Sequence, residues 1–439
     1  MPRPPTRARR RIRAALRQSL SGRQISGSGL WPLSVLLCGL LAACDEGAAR
    51  PVAPGAGQDA IEAFLDRHWL RPIAPQGAVP AGFSAPEAAL DPDACGRCHV
   101  EQFNDWKTSL HAKAMGPGVL GQLRDMAPDA GEEHQACLRC HAPLAEQATS
   151  LSEALARRRA GGGPVAAHEQ GLTCAGCHVR RHERFGPARR DGTAPRAGGT
   201  GLPHGGWIAS AAFEDSRFCA ACHQFAEGDF ALNGKFLENT YEEWRASRYA
   251  RERRPCQSCH MPDRRHLWRG VHDEQMMRSG VSVTAVPPLR SGGGIEARLE
   301  IRNTGTGHRF PTYVTPKVVA EIFQSDRDGR MLPATLRQHV IARQVELDLS
   351  REIADTRLAP DEEAALEYRA PLHPRAAFLV YRMRVEPDAF YTEFFKSVLA
   401  GGESVRGKAM IRAALANSRR ARFTFFEERR PLRGVDPAR

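Results

Sequence analysis

Ten cysteines of this chain stand in five pentapeptides of one form: CGRCH from Cys95 to His99, CLRCH from Cys137 to His141, CAGCH from Cys174 to His178, CAACH from Cys219 to His223 and CQSCH from Cys256 to His260. The other two, Cys38 and Cys44, lie in an apolar run near the N-terminus. Two cysteines three residues apart lie on one side of a helical turn, where both sulfurs can bond the two vinyl-derived positions of one haem, and the histidine that follows can reach beneath the macrocycle to the iron. Two other chemistries use C-x-x-C: exported disulfide loops and paired zinc knuckles. Neither requires histidine at the next position. With 16 histidines in 439 residues, five such coincidences by chance come to on the order of one in ten million. The pattern therefore predicts five covalent haems c, attached through Cys95, Cys98, Cys137, Cys140, Cys174, Cys177, Cys219, Cys222, Cys256 and Cys259, with His99, His141, His178, His223 and His260 as proximal iron ligands.

The second axial position of each iron decides between conductor and catalyst, because two histidines leave no room for substrate and an open position does. Eleven histidines lie outside the motifs. By position the candidates are His111, His168 just before CAGCH, His204 in LPHGGW, His266 and His272 in HLWRGVHD, and His308. His134 and His182 sit awkwardly close to their own motifs, and His68, His339 and His373 read as ordinary core or surface histidines. His308 stands in NTGTGHRFPT, far beyond the last cysteine. Gly305 and Gly307 carry no side chain to keep that turn off a macrocycle, so His308 is expected to reach a haem from a neighbouring domain.

These segments must be positioned by something. The motifs start 42, 37, 45 and 37 residues apart, yet the text between them is not self-similar, so haem sites repeat and a stacked unit does not. The fold expected is multidomain: a mainly α-helical, loop-rich pentahaem domain over 93–278, then an antiparallel β-sandwich of the immunoglobulin-like kind with C-terminal helices over 280–439. The second assignment rests on VSVTAV, GIEARLEIR, KVVAEIFQ and AAFLVYRMRV, which alternate at spacing two, and on DAFYTEFFKSVLA and VRGKAMIRAALANS, which carry apolar helical faces. Phe394, Phe395 and Leu399 read as packing residues.

The net charge of +12 is local: residues 1–43 hold eight arginines and no acid, and taking them away leaves +4, too little to argue for a nucleic-acid partner. Those arginines precede a short apolar stretch ending Leu41-Ala42-Ala43-Cys44, the order of an export signal with a lipobox. Cys44 is thus expected to be acylated and to tether the chain to a bacterial membrane on its periplasmic side. Residues 44–92, rich in proline, read as tether and spacer.

CGRCHVEQFNDWKTSLHAKAM, CLRCHAPLAEQ, GLTCAGCHVR, CQSCHMP and HLWRGVHD together resemble the multihaem cytochromes related to the tetrahaem cytochrome that accepts electrons from hydroxylamine oxidoreductase. NTGTGHRFPT, DTRLAPDEE and VEPDAFY resemble a β-domain appended to such haem domains, so the resemblance covers about 64 to 400. It implies His111, His272 and His308 as distal ligands and a role in carrying electrons between membrane-linked or periplasmic donor and acceptor proteins. All five motifs end in histidine, unlike the C-x-x-C-K of pentahaem nitrite reductases. Two other functions remain open: an oxidoreductase acting on a small nitrogen or sulfur compound at one five-coordinate haem, with Arg180, Arg181 and Arg184 as candidate anion holders, and a scaffold subunit whose sandwich docks a partner.

Overall fold

The computed structural model describes residues 56–127, 129–157, 165–193, 201–402 and 406–432. The signal-like segment and Cys44 lie outside these residues.

Each C-x-x-C-H forms a helical turn or closes a helix, because nearby residues supply its start and stop. Asp91 accepts a hydrogen bond from the Asp93 amide (2.7 Å) with Pro92 in the first turn ahead of Cys95, and Thr173 caps Cys174–His178 by accepting from the Gly176 amide. The second motif ends the longer helix Gly131–His141, and the fourth and fifth occupy Arg217–His223 and Cys256–His260. Long loops join these pieces.

Residues 56–91 do not stand clear of the haem region, which corrects the reading of 44–92 as a spacer over its described part. Helix Ala56–His68 lays Phe64 and His68 among Phe185, Phe213 and Phe218. His68 Nε2 donates to the Cys177 carbonyl (2.8 Å), and Ile73, 2 % exposed, packs with Leu144, Ala175 and Val179. Proline was read as stiffness that holds a domain away. The same stiffness lowers the entropy lost when the segment packs.

From Ser282 the period changes to two. Seven strands, β1 (Ser282–Ser291), β2 (Gly294–Arg302), β3 (Lys317–Ser325), β4 (Arg337–Ile341), β5 (Glu363–Pro371), β6 (Phe378–Glu386) and β7 (Phe423–Pro431), form two antiparallel sheets in the orders β5-β2-β1 and β7-β6-β3-β4. Ile295, Ala297, Leu299 and Ile301 alternate inward along β2 and meet Val318, Ala320 and Ile322 of β3 and Leu379, Tyr381 and Met383 of β6 in one shared core. On the outer face of β3, buried Glu321 accepts from Arg382 Nε (2.6 Å) and Arg384 Nη2 (2.7 Å). Burial pushes its carboxyl up and these guanidinium groups outweigh that, so it is held below the ordinary carboxylate range. Strand β7, FTFFEERRP, is not legible in the sequence, because it follows two helices and lies at the sheet edge.

The helices Ala389–Ala400 and Lys408–Arg420 belong to the C-terminal part by sequence and pack against the haem region in space. A Cβ at Gly121 would lie 2.7 Å from Ile411 Cδ1, so helix Pro117–Asp125 admits the C-terminal helix only because that position is bare. Phe395 is buried there, as the packing reading expects. Arg343, wholly buried, reaches the other way from beside β4 to the carbonyls of Leu232, Lys235 and Phe236 in the haem region. The two parts are therefore tied at both ends of the seam.

Candidate haem sites

A metal-bound imidazole needs one ring nitrogen free and the other held. His141, His178 and His260 donate from Nδ1 to the carbonyls of Ala114 (2.6 Å), Phe185 (2.7 Å) and Arg269 (2.8 Å). His204, His266 and His308, outside the motifs, donate from Nδ1 to the carbonyls of Gly206 (2.9 Å), Arg264 (3.0 Å) and Arg309 (2.9 Å). All six therefore keep Nε2 for a ligand, in the tautomer and orientation that outer-shell carbonyls impose on metal-binding histidines. His68 is the contrast, since its Nε2 is spent on the Cys177 carbonyl.

Four motif histidines face a second imidazole. The centroids of His99 and His204 are 6.4 Å apart, those of His223 and His111 6.3 Å, His178 and His266 6.1 Å, and His260 and His308 6.4 Å, with interplanar angles of 30°, 48°, 34° and 16°. Two imidazoles opposite each other on one metal, with bonds of about 2.0–2.1 Å and each ring centre roughly an ångström further out, stand about 6 Å apart. The spacing fits one haem iron between each pair. Burial favours the neutral form that coordination requires, lowering His111 to about 3 and His178 and His260 to about 4.

Backbone geometry supports two of these placements. His204 takes φ +44 with its amide donating to Glu87 (2.6 Å), a conformation costly for a residue with a side chain and held here from both ends. Gly171, at φ +68, lets the Leu172 amide reach the His111 carbonyl (2.9 Å), and a Cβ on it would lie 2.4 Å from that oxygen. We expect Gly171→Ala to displace His111 and to cost the His223 haem its low-spin signal in paramagnetic resonance. Retention of that signal would show that His111 is placed by other contacts.

His141 is different. Among the described residues no second imidazole stacks opposite it. Within its motif Arg139 makes an ion pair of 3.0 Å with Asp229. The structure does not bring the remaining two candidates to any motif histidine: His168 bonds Ser150 through Nδ1 (2.9 Å), and His272 Nε2 meets Asp388 (3.1 Å). Nor do the arginines after the third motif form an anion pocket. Arg180 donates from Nε and Nη1 to the carbonyls of His68, Ala175 and Val179 and keeps only Nη2 buried without a partner, Arg184 donates to those of His182 and Glu87, and Arg181 is exposed.

The motifs also touch one another, which spacing along the chain does not reveal. The Cys95 thiol lies within hydrogen-bonding reach of Cys174, Cys140 of Cys222, and Cys219 of Cys256, while Cys177 lies in the neighbourhood of Cys219 and Cys222. In spatial order the first motif adjoins the third, the third the fourth, and the fourth adjoins both the second and the fifth.

Residues 94–179, which contain the first three motifs, match the family model described as cytochrome c554 and c-prime. No curated protein matches the chain. Among solved structures, the chain is similar to a penta-heme cytochrome c552 from Thermochromatium tepidum, with a TM-score of 0.53 at 19% identity, covering 77% of this chain and 97% of that one; at that identity the likeness is one of fold. With the five motifs, the matched segment supports a multihaem c-type cytochrome.

Proposed function

We propose that the chain binds five haems c, one at each C-x-x-C-H, and relays electrons between a membrane-linked or periplasmic donor and a further acceptor protein. The observation that carries this reading is the spacing of the four imidazole pairs, each matched to an iron with no coordination site left for substrate. In the reading, His204, His111, His266 and His308 are the distal ligands for the irons of His99, His223, His178 and His260. The contacts between motifs give the path: first, third, fourth, and then a fork to the second and the fifth. Haem supplies the one-electron chemistry. The protein fixes the tautomers, excludes water from the rings and sets the order of the sites.

The signal-like N-terminus supports export, with a lipid on Cys44 holding the chain at a membrane and no nucleic acid among its partners. No described helix is long and apolar enough to cross a membrane.

A second reading is favoured by one observation, the single imidazole at His141: reduction or oxidation of a small nitrogen or sulfur compound at that haem. Anaerobic mixing separates the two. The relay reading expects a fully reduced chain to return five electrons to an acceptor cytochrome or dye and to leave nitrite and hydroxylamine unconsumed. Turnover of either compound faster than free haem achieves would replace it with the second.

A further inference from the structure

Helix Ala56–His68 leads into a short strap that runs where the motifs meet. His68 is held at the third motif from both sides: its Nε2 donates to the Cys177 carbonyl (2.8 Å), and its own carbonyl accepts from Arg180 Nε (2.8 Å). Five residues on, Ile73 bridges to Leu144, three residues past His141 of the second motif. The chain between these anchors crosses the junction of the motifs, and Arg71 lies in it. Its Nη1 donates to the Arg139 carbonyl (3.4 Å), to Cys140 Sγ (3.6 Å) and to Cys222 Sγ (3.9 Å). One nitrogen thus reaches the second motif and the fourth at once. These thiols stand in for the thioether sulfurs through which haem would be attached, and a thioether still accepts a hydrogen bond, weakly.

We propose that Arg71 raises the potentials of the second and fourth haems together, so that electrons entering the relay collect on this pair. The inference rests on the relay reading and on the haem assignment beneath it. A ferric haem carries one more positive charge than a ferrous one, so a cation that nothing neutralises favours the ferrous form beside it. An electron then passes downhill from the third haem, which is oxidised, to the fourth and on to the second, which is reduced. No bond forms or breaks, and Arg71 keeps its protons throughout.

The surroundings leave that charge uncancelled. Arg71 is half-buried, and among the described residues its side chain meets two sulfurs and a carbonyl but no carboxylate. Arg139, the other guanidinium at the second motif, is the contrast, because Asp229 pairs with it at 3.0 Å. A unit charge acting over about 10 Å at an effective dielectric of about 20 changes a one-electron equilibrium roughly tenfold.

The test is a redox titration of the full haem-loaded chain, followed by paramagnetic resonance so that the high-spin signal expected at His141 marks the second haem. Arg71→Gln should lower the reduction equilibrium constants of two components, the marked one included, by about tenfold each, or about 59 mV for one electron. Arg71→Lys, which keeps the charge and loses the planar fork, should hold both within about threefold of the wild type. Arg67→Gln, which removes an exposed charge four residues earlier, should move neither. Arg71→Met repeats the neutral substitution if Arg71→Gln loads haem poorly. Unchanged potentials in the neutral variants, or an equal fall in Arg71→Lys, would overturn the inference and, with five haems per chain by mass, leave the relay reading standing. A wild-type mass short of five haems would overturn the haem assignment beneath both.

Discussion

Replacing His308 by alanine is expected to turn one low-spin haem high-spin and to weaken the hold between the two parts of the protein. The turn that presents His308 is held by hydrogen bonds of the chain itself. Asn303 Nδ2 donates to the carbonyls of His308 and Leu358, each at 3.0 Å, and Thr306 Oγ1 donates to Asn303 Oδ1 (2.7 Å). A Cβ at Gly305 would fall 1.8 Å from the Ser279 carbonyl, so this close approach to the end of the haem region requires glycine. His308 is thereby aimed at His260, with the rings 16° from parallel. Removing the imidazole leaves that iron one strong ligand, and free imidazole added to the variant should restore the low-spin signal. Unchanged spectra and potentials in the variant would remove His308 from the ligand set.

The second large effect concerns folding without haem. The two-sheet part encloses one core of twenty-two buried residues, whereas the haem region has clusters of six and four. A chain of short helices and long loops with so little apolar interior does not recover the entropy of ordering its backbone, so the macrocycles must supply the missing core. Expressed without haem-attachment machinery, the chain should give a protease-resistant fragment beginning near residue 280 and digestion of nearly everything before it. Native-like resistance across 56–278 would show that the side chains suffice.

The motifs and the strand periodicity were plain in the sequence because both are local. Three-residue cysteine spacing and alternation along β2 need no knowledge of the rest of the chain. His308 was also legible, since a histidine flanked by two glycines is already an unusual local arrangement. What could not be read is long-range. His168 was selected for standing six residues before Cys174, but its short 3₁₀ turn points the ring at Ser150. His272 was selected by position as well as by resemblance, and the C-terminal part supplies Asp388 to occupy it. The pairing of His111 with His223, or of His99 with His204, spans about a hundred residues and leaves no trace in spacing. Nor did the proline content of 56–91 reveal that Phe64, His68 and Ile73 pack into the haem region, because the same residues suit an extended linker and a rigid buried strap.

The most direct measurement is the paramagnetic resonance spectrum of the ferric, fully haem-loaded chain, recorded with a haem count by mass. The arrangement of imidazoles predicts five haems, four low-spin from the paired histidines and one, at His141, high-spin and responsive to a small added ligand. Five low-spin signals indifferent to ligand would mean that a group other than histidine closes the His141 site, and fewer than four low-spin signals would contradict the pairing itself.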